Sequence, residues 1–274
     1  MISLKVSSSI HSISDFSVEF LGTGTSGGVP MIACKCEVCL SSNKKDNRLR
    51  SSILIRSAQA SVVIDTTPDF RYQMLRSKVE HLDAVVFTHS HKDHIAGLDD
   101  IRAYNFFSQR PMPLFANEET AFALKRDFYY AFAENKYPGI PELDLNVQDG
   151  EPFRVADLFF IPIHVRHLNM GVSGYRIGDF TYVTDANHIE EKELEKIRGS
   201  KILVINALRQ EKHLSHFTLQ EAIDLAASLN IPHTYFTHIS HQMGLHEQVN
   251  AQLPKGMQLA HDGLVIEVKN TAVA

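Results

Sequence analysis

The chain has 274 residues, 44% of them hydrophobic and 22% charged, the proportions of a globular protein with enough apolar side chains for a sizeable core. A formal charge of −5 and a pI near 6.3 argue against a generally basic surface for nucleic acid or membrane. No stretch approaches the roughly 18 apolar residues of a membrane span, and the opening MISLKVSSSIHSISDFSVEF lacks the unbroken apolar run of a secretory signal, so the expected location is cytoplasmic.

In chain order, short apolar runs rich in Val, Ile, Phe and Tyr predict strands at SVEFLGTG (17–24), SSILIRS (51–57), SVVID (61–65), AVVFTH (84–89) and PLFA (113–116). LFFIPIHV (158–165), SGYRIG (173–178), FTYVTDA (180–186), KILVINAL (201–208), HTYFTHI (233–239) and LVIEV (264–268) read the same way. Helices are predicted for EETAFALKRDFYYAF (118–132), EEKELEKIRG (190–199) and TLQEAIDLAASLN (218–230), with Thr218 as the N-cap of the third. A strand-dense first half and a mixed second half suggest two sheets packed face to face with helices outside, in one α/β domain over 1–274. The span 99–148 reads as a helical, aromatic-rich insertion, either simple packing or a lid beside the site; its rings include Tyr104, Phe106, Phe107, Phe128, Tyr129, Tyr130, Phe132 and Tyr137.

Fifteen histidines is the one unusual count, and FTHSHKDHIAGLD (87–99) concentrates them. His89, His91, Asp93 and His94 follow the apolar run DAVVF, so they fall on a loop entering a helix, where a rigid scaffold commonly holds chemistry. His89 and His91, two apart, can point at one centre, while Asp93 and His94, adjacent, can address a second. Imidazole nitrogen and carboxylate oxygen suit zinc, manganese or iron. The three cysteines, Cys34, Cys36 and Cys39, all lie within six positions. That is a poor disulfide framework; three thiolates fill three corners of a tetrahedral zinc site and leave the fourth open. The preceding LGTGTSGGVP matches neither a P-loop nor a dinucleotide fingerprint and reads as a tight turn.

The segment HSHKDH resembles the H-x-H-x-D-H signature of the metallo-β-lactamase superfamily, and the resemblance extends over most of the chain. It implies a four-layer αββα sandwich holding two divalent metals, manganese or zinc. By matching, His167 in IPIHVRHLNMGVSGY is the third-motif histidine, with His164 as a competitor. Asp185 in TYVTDAN is the aspartate shared by both metals, and His238 in YFTHISH is the last ligand. The implied set is then His89, His91 and His167 for one metal and Asp93, His94 and His238 for the other. Asp65, ending SVVID, is implied to support a ligand from behind.

The glycine-rich turn, C-x-C-x2-C and THISHQ together resemble the subfamily containing the PhnP-type phosphodiesterase of cyclic ribose phosphates. There His241 is implied to complete a structural zinc site with the three cysteines. His216, in LSHFTLQEAIDLA, is implied to be the general acid or a phosphate-oxygen stabiliser beside Asp93, with His213 as rival. Arg209 is read as a cation for an anionic substrate, a surface ion pair being the alternative. The implied activity is hydrolysis of a small cyclic or diester phosphate, and a homodimer is a family-level expectation. Three alternatives stay open: a tRNA 3′-processing nuclease, disfavoured because no long basic arm is found; a lactone, thioester or β-lactam hydrolase; and a non-enzymatic protein keeping the fold.

Overall fold

A computed structural model describes residues 14–148 and 150–270. Its strands are β1 (Phe16–Gly22), β2 (Ser52–Arg56), β3 (Ser61–Ile64), β4 (Ala84–Val86), β5 (Met112–Ala116), β6 (Leu143–Val147), β7 (Phe153–Val155) and β8 (Leu158–His167). They continue as β9 (Met170–Ile177), β10 (Phe180–Val183), β11 (His188–Ile189), β12 (Ile202–Asn206), β13 (His233–Thr237), β14 (Met257–Leu259) and β15 (Val265–Val268). The α-helices are α1 (Phe70–Arg76), α2 (Lys92–Ile95), α3 (Arg102–Ser108), α4 (Glu118–Asp127), α5 (Glu191–Ile197), α6 (Leu219–Ser228) and α7 (His246–Asn250). None is long and apolar enough to cross a membrane.

The strands form two sheets. One runs β15-β1-β2-β3-β4-β5-β6; the other runs β11-β8-β9-β10-β12-β13-β14, with β7 paired to β8. Strand side chains alternate between faces, and in the central strands both faces are buried. Ile53, Ile55, Val62, Ile64, Ala84 and Val86 point into the layer between the sheets, where they meet Phe160, Tyr175, Tyr182 and Val204. Their neighbours Leu54, Val63 and Val85 point outward to Phe70, Met74 and Leu124 of α1 and α4. Across the molecule Leu203 and Ile205 pack on Ile197, Ala222, Ala226 and Val249 of α5, α6 and α7. Burial on both faces explains why these strands read as unbroken apolar runs rather than alternating ones. The result is the expected four-layer αββα sandwich, in one domain.

Every strand in the sequence reading appears in the structure, and Thr218 caps α6 through a reciprocal capping box with Glu221. Some elements were not foreseen: β6, β7, β11, β14, α1, α3 and α7 are short or lack a clear period. The helix predicted over 118–132 ends at Asp127, and Tyr129–Ala131 continue as a 3-10 turn. The span 99–148 is no separate insertion, because it contributes β5 and β6 to the first sheet as well as α3 and α4. Tyr104, Phe128, Tyr130 and Phe132 pack into the outer core, whereas Phe106, Phe107, Tyr129 and Tyr137 are exposed.

Strands β3, β4, β5 and β6 run parallel to one another, and so do β10, β12, β13 and β14. Open sheets of this kind form crevices at the carboxyl ends of their strands. A buried clasp joins the two sheets beside that crevice. Arg48 donates from Nη1 to Thr23 Oγ1 (2.8 Å) and Ala260 O (2.6 Å), and from Nη2 to His246 Nδ1 (3.0 Å). Asp262 accepts from Thr23 Oγ1 and the Leu49 amide, and Asp46 accepts from the His246 amide. Burial lowers the Arg48 pKa only to about 10, with Asp262 and Asp46 opposing, so the guanidinium stays charged.

Two predictions follow from the packing. A Cβ on Gly97, just past α2, would stand 2.2 Å from the Thr67 carbonyl oxygen and 2.6 Å from Phe70 Cβ. Overpacking of this kind costs roughly 1–3 kcal/mol, so Gly97→Ala should lower the thermal midpoint measured by circular dichroism. The second concerns pH. A guanidinium only donates, so the His246 nitrogen facing it must be unprotonated; burial first, then Arg48, pushes His246 down to about 4. The unfolded imidazole, with a pKa near 6.5, binds a proton that the folded one refuses. Stability from this contact is therefore complete above about pH 6.5 and drains away as pH falls toward 4. In urea titrations across that window, His246→Gln should lose less stability than the parent.

Candidate metal centre

Each acidic or imidazole group of the cluster stands just beyond a strand or at a helix start. Asp65 follows β3, His89 and His91 follow β4, Asp93 and His94 open α2, His167 ends β8, Asp185 follows β10 and His238 follows β13. Three of them, Asp65, Asp185 and His238, have left-handed backbones, with φ of 69°, 53° and 56°. Non-glycine residues adopt this region at a cost and gather at functional sites. Here the reversal turns the side chain back across the end of its strand.

Asp65 is fully buried and anchors the cluster. It accepts from the Thr88 amide (2.8 Å) and Thr88 Oγ1 (2.7 Å), and from His94 Nδ1 (2.7 Å). With Nδ1 committed, His94 presents Nε2 to Asp93 and Asp185, each 3.3 Å away. His238 Nε2 lies 3.1 Å from Asp185 and 3.6 Å from Asp93. On the other side, His89 Nε2 and His91 Nδ1 converge to 3.0 Å, and the His167 ring is centred 5.1 Å from that of His91. His167 donates from Nδ1 to Ser215 O (2.7 Å), which leaves Nε2 for the cluster. His89 and His94 ring centres are 4.2 Å apart, so the two groups of ligand-type residues form one site.

The competitors separate cleanly. His164 is exposed on β8, its amide bonded to Glu193 of α5, away from this cluster. His213 is half-buried and accepts from the Ser215 amide (3.3 Å). His216 is buried, with its ring centre 4.5 Å from that of His167 and 4.8 Å from that of His238, and its Nδ1 lies 3.9 Å from Asp185. Arg209 donates to Glu211 O, Lys212 O and Gln242 Oε1, so its guanidinium braces the loop that carries His213 and His216.

Burial opposes charge throughout. It lowers the His89 pKa well below its usual value, helped by His94, which keeps that imidazole in its ligating, neutral form. It would raise Asp185 and Asp93, yet His238 and His94 hold both carboxylates well below the usual range. His94 is raised well above its usual value, against burial, by Asp93, Asp185 and Asp65. Burial and His238 push His216 down to about 3.

The donor set fits a pair of divalent ions. Asp93, His94, Asp185 and His238 offer ligand atoms within 4.8 Å of one another, as do His167, Asp185 and His216. His94 Nε2, His216 Nδ1 and both ring nitrogens of His238 are buried without hydrogen-bond partners, an arrangement that costs free energy unless something else satisfies them. Three carboxylates around one imidazole also concentrate negative charge that a cation balances.

A second group stands nearby. Cys34, Cys36, Cys39 and His241 bring their ligand atoms within 4.8 Å of one another, and both Cys34 Sγ and Cys36 Sγ are 3.3 Å from His241 Nδ1. The His241 contact and the Cys39 backbone lower the Cys36 thiol to about 6, while burial raises Cys39 to about 11. Hydrogen bonds from Ile239 N to Thr23 O and from Thr25 N to Ile239 O tie this group to His238. Thr88, Thr184 and Ser215, which orient Asp65, Asp185 and His167, were missed by sequence reasoning; only Thr88 carried a signal, its place inside the histidine motif.

Residues 60–239 match the family described as the beta-lactamase superfamily domain. The chain belongs to that superfamily. Its cluster of His and Asp side chains is of the kind that could hold divalent metal. A crystal structure of a diphosphatase from the PhnP family superposes with a TM-score of 0.87 at 43% identity, covering 93% of this chain and 97% of that one. The zinc-bound PqqB of Methylobacterium extorquens shares the fold at 19% identity, with a TM-score of 0.75 over 92% of this chain and 100% of that one. An octanoyltransferase of Porphyromonas gingivalis is 38% identical over 247 residues, 89% of this chain and 50% of that protein. The chain thus spans about half the length of that relative.

Replacing Cys36 by Ser should remove one tightly held zinc per chain by elemental analysis and lower the thermal midpoint. An unchanged zinc content and midpoint would show that the thiolates hold no metal.

Proposed function

We propose that the protein is a phosphodiesterase acting on a small cyclic or diester phosphate. The observation that carries this reading is the convergence of His89, His91, Asp93, His94, His167, Asp185 and His238 on one largely buried site, joined by His216, whose Nδ1 lies 3.9 Å from Asp185. Likeness to the PhnP-family diphosphatase at 43% identity supports the phosphorus chemistry. In this reading His89, His91, Asp93, His94, His167, Asp185 and His238 would hold two divalent ions. Zinc or manganese bound there would neutralise developing charge on a phosphate and make a water acidic enough to attack it.

The chain's own groups do the rest. Asp65 and Ser215 O set the tautomers of His94 and His167, so that each presents one defined nitrogen. His216, neutral at pH 7 with its pKa near 3, acts as a hydrogen-bond donor to the departing oxygen. Arg209 positions the loop that carries His216, in place of the substrate contact read from the sequence. Cys34, Cys36, Cys39 and His241 would hold a structural zinc, which would keep the loop at residues 31–39 beside His241. The substrate is a small molecule rather than a nucleic acid, in keeping with the net charge of −5.

Acyl transfer is the second reading, prompted by the octanoyltransferase name of the longer relative. The experiment is hydrolysis of bis(p-nitrophenyl) phosphate by metal-stripped protein with Mn²⁺ or Zn²⁺ restored, beside lactone and thioester controls. Turnover of the diester alone, abolished by Asp93→Asn, is expected; cleavage of the thioester alone would replace the proposal with acyl chemistry. His216→Ala should cost roughly 10²–10³-fold in kcat on an alkyl diester and much less on a p-nitrophenyl diester, whose leaving group needs little help.

A further inference from the structure

Strands β8 and β9 pair from Ile161↔Arg176 down to His167↔Met170, so Leu168 and Asn169 alone make the turn. Leu168 has φ 56°, the left-handed region, at the first position of a two-residue hairpin turn. Glycine is preferred at that position, because a side chain there crowds the backbone. A branched residue in its place is a strained choice, and its side chain is not even buried: Leu168 is 50% exposed. Neither backbone economy nor core packing accounts for it.

A second leucine stands in the same place. Leu214 is 81% exposed, between His213 and the Ser215–His216 pair. One side chain ties the backbones of the two segments together. Asn187 accepts from the Leu168 amide through Oδ1 (3.0 Å) and donates from Nδ2 to the Leu214 carbonyl (2.9 Å). The same turn and loop are joined again by the bond from His167 Nδ1 to Ser215 O. Leu168 is therefore the residue after a metal-ligand candidate, and Leu214 is two residues before His216. A lone exposed leucine needs no explanation; two of them, on backbone segments held together by one asparagine beside a polar centre, one in a strained backbone, do.

We propose that Leu168 and Leu214 form an apolar lip that receives the ester arm of the substrate that is not released. The phosphate would sit in the polar centre while an aromatic or aliphatic arm lies against the two side chains. The chemistry recognised is an apolar substituent on a phosphorus acid, and the inference rests on the phosphodiesterase reading only for the identity of the scissile bond.

The test uses the metal-loaded full chain and the double variant Leu168→Gly/Leu214→Ser. Glycine suits the backbone at 168 and Ser replaces an exposed side chain, so the variant should fold. Methyl p-nitrophenyl phosphate and benzyl p-nitrophenyl phosphate release the same group and differ in the retained arm. The wild-type ratio of kcat/KM, benzyl over methyl, should exceed one by about tenfold and fall to near one in the variant. A merely structural role would lower both substrates alike and leave the ratio standing, which would overturn the lip. Isothermal titration with benzylphosphonate and methylphosphonate reads the same preference without turnover. Absence of an arm preference in the wild type, or its survival in the variant, overturns the lip. A preference lost in the variant, with neither diester cleaved, would sustain the lip and overturn the phosphodiesterase reading alone.

Discussion

Asp65 is a carboxylate with no access to solvent, and the site is organised around the contacts it makes. Burial raises its pKa, and an isolated charge in such a place would cost several kcal/mol. It is retained because Thr88 and His94 surround it with three donors drawn from the segment that carries the histidine motif. Those bonds fasten the end of β3 to the loop after β4 and decide which nitrogen of His94 faces Asp93 and Asp185. Without that orientation the remaining carboxylates and imidazoles would be neighbours without a common focus.

A similar economy recurs at three positions of the cluster. Left-handed backbones at Asp65, Asp185 and His238 are unfavourable taken singly. They persist because the central strands beneath them are buried on both faces, and close-packed layers do not yield to relax one residue. The strain is held by the core and expressed at the rim, where the strand ends of both sheets meet. Leu168 shares the left-handed backbone, with the difference that its side chain is half exposed.

Two further ties keep the halves of the chain together at that rim. Arg48 links residues 23, 246 and 260 in the interior, and the cysteine group with His241 does the same nearer the surface. The cysteine group joins an early loop to His241, three residues past His238, and Arg48 joins another to α7 and to the end of β14. Positions 34 and 241 lie 207 residues apart, so a small group of side chains substitutes for continuous packing between distant segments.

The αββα architecture and most strands were legible because double-sided burial leaves unbroken runs such as SVVI, AVV and ILVIN, and because Thr218 and Glu221 cap α6 in a local four-residue pattern. His89, His91, Asp93 and His94 announced a centre by local spacing alone, and a family resemblance named their distant partners. Tertiary structure alone decided between His164 and His167 and between His213 and His216. In each pair both residues have the same chemistry within three positions, and only strand direction and the Ser215 contact tell which one turns inward. It also bonded Arg209 to Glu211 O, Lys212 O and Gln242 Oε1 and drew β5 and β6 into the first sheet. The Asn187 link between Leu168 and Leu214 has no trace in the sequence, since its meaning lies in a hairpin and a loop 46 positions apart that meet only when the sheets have packed.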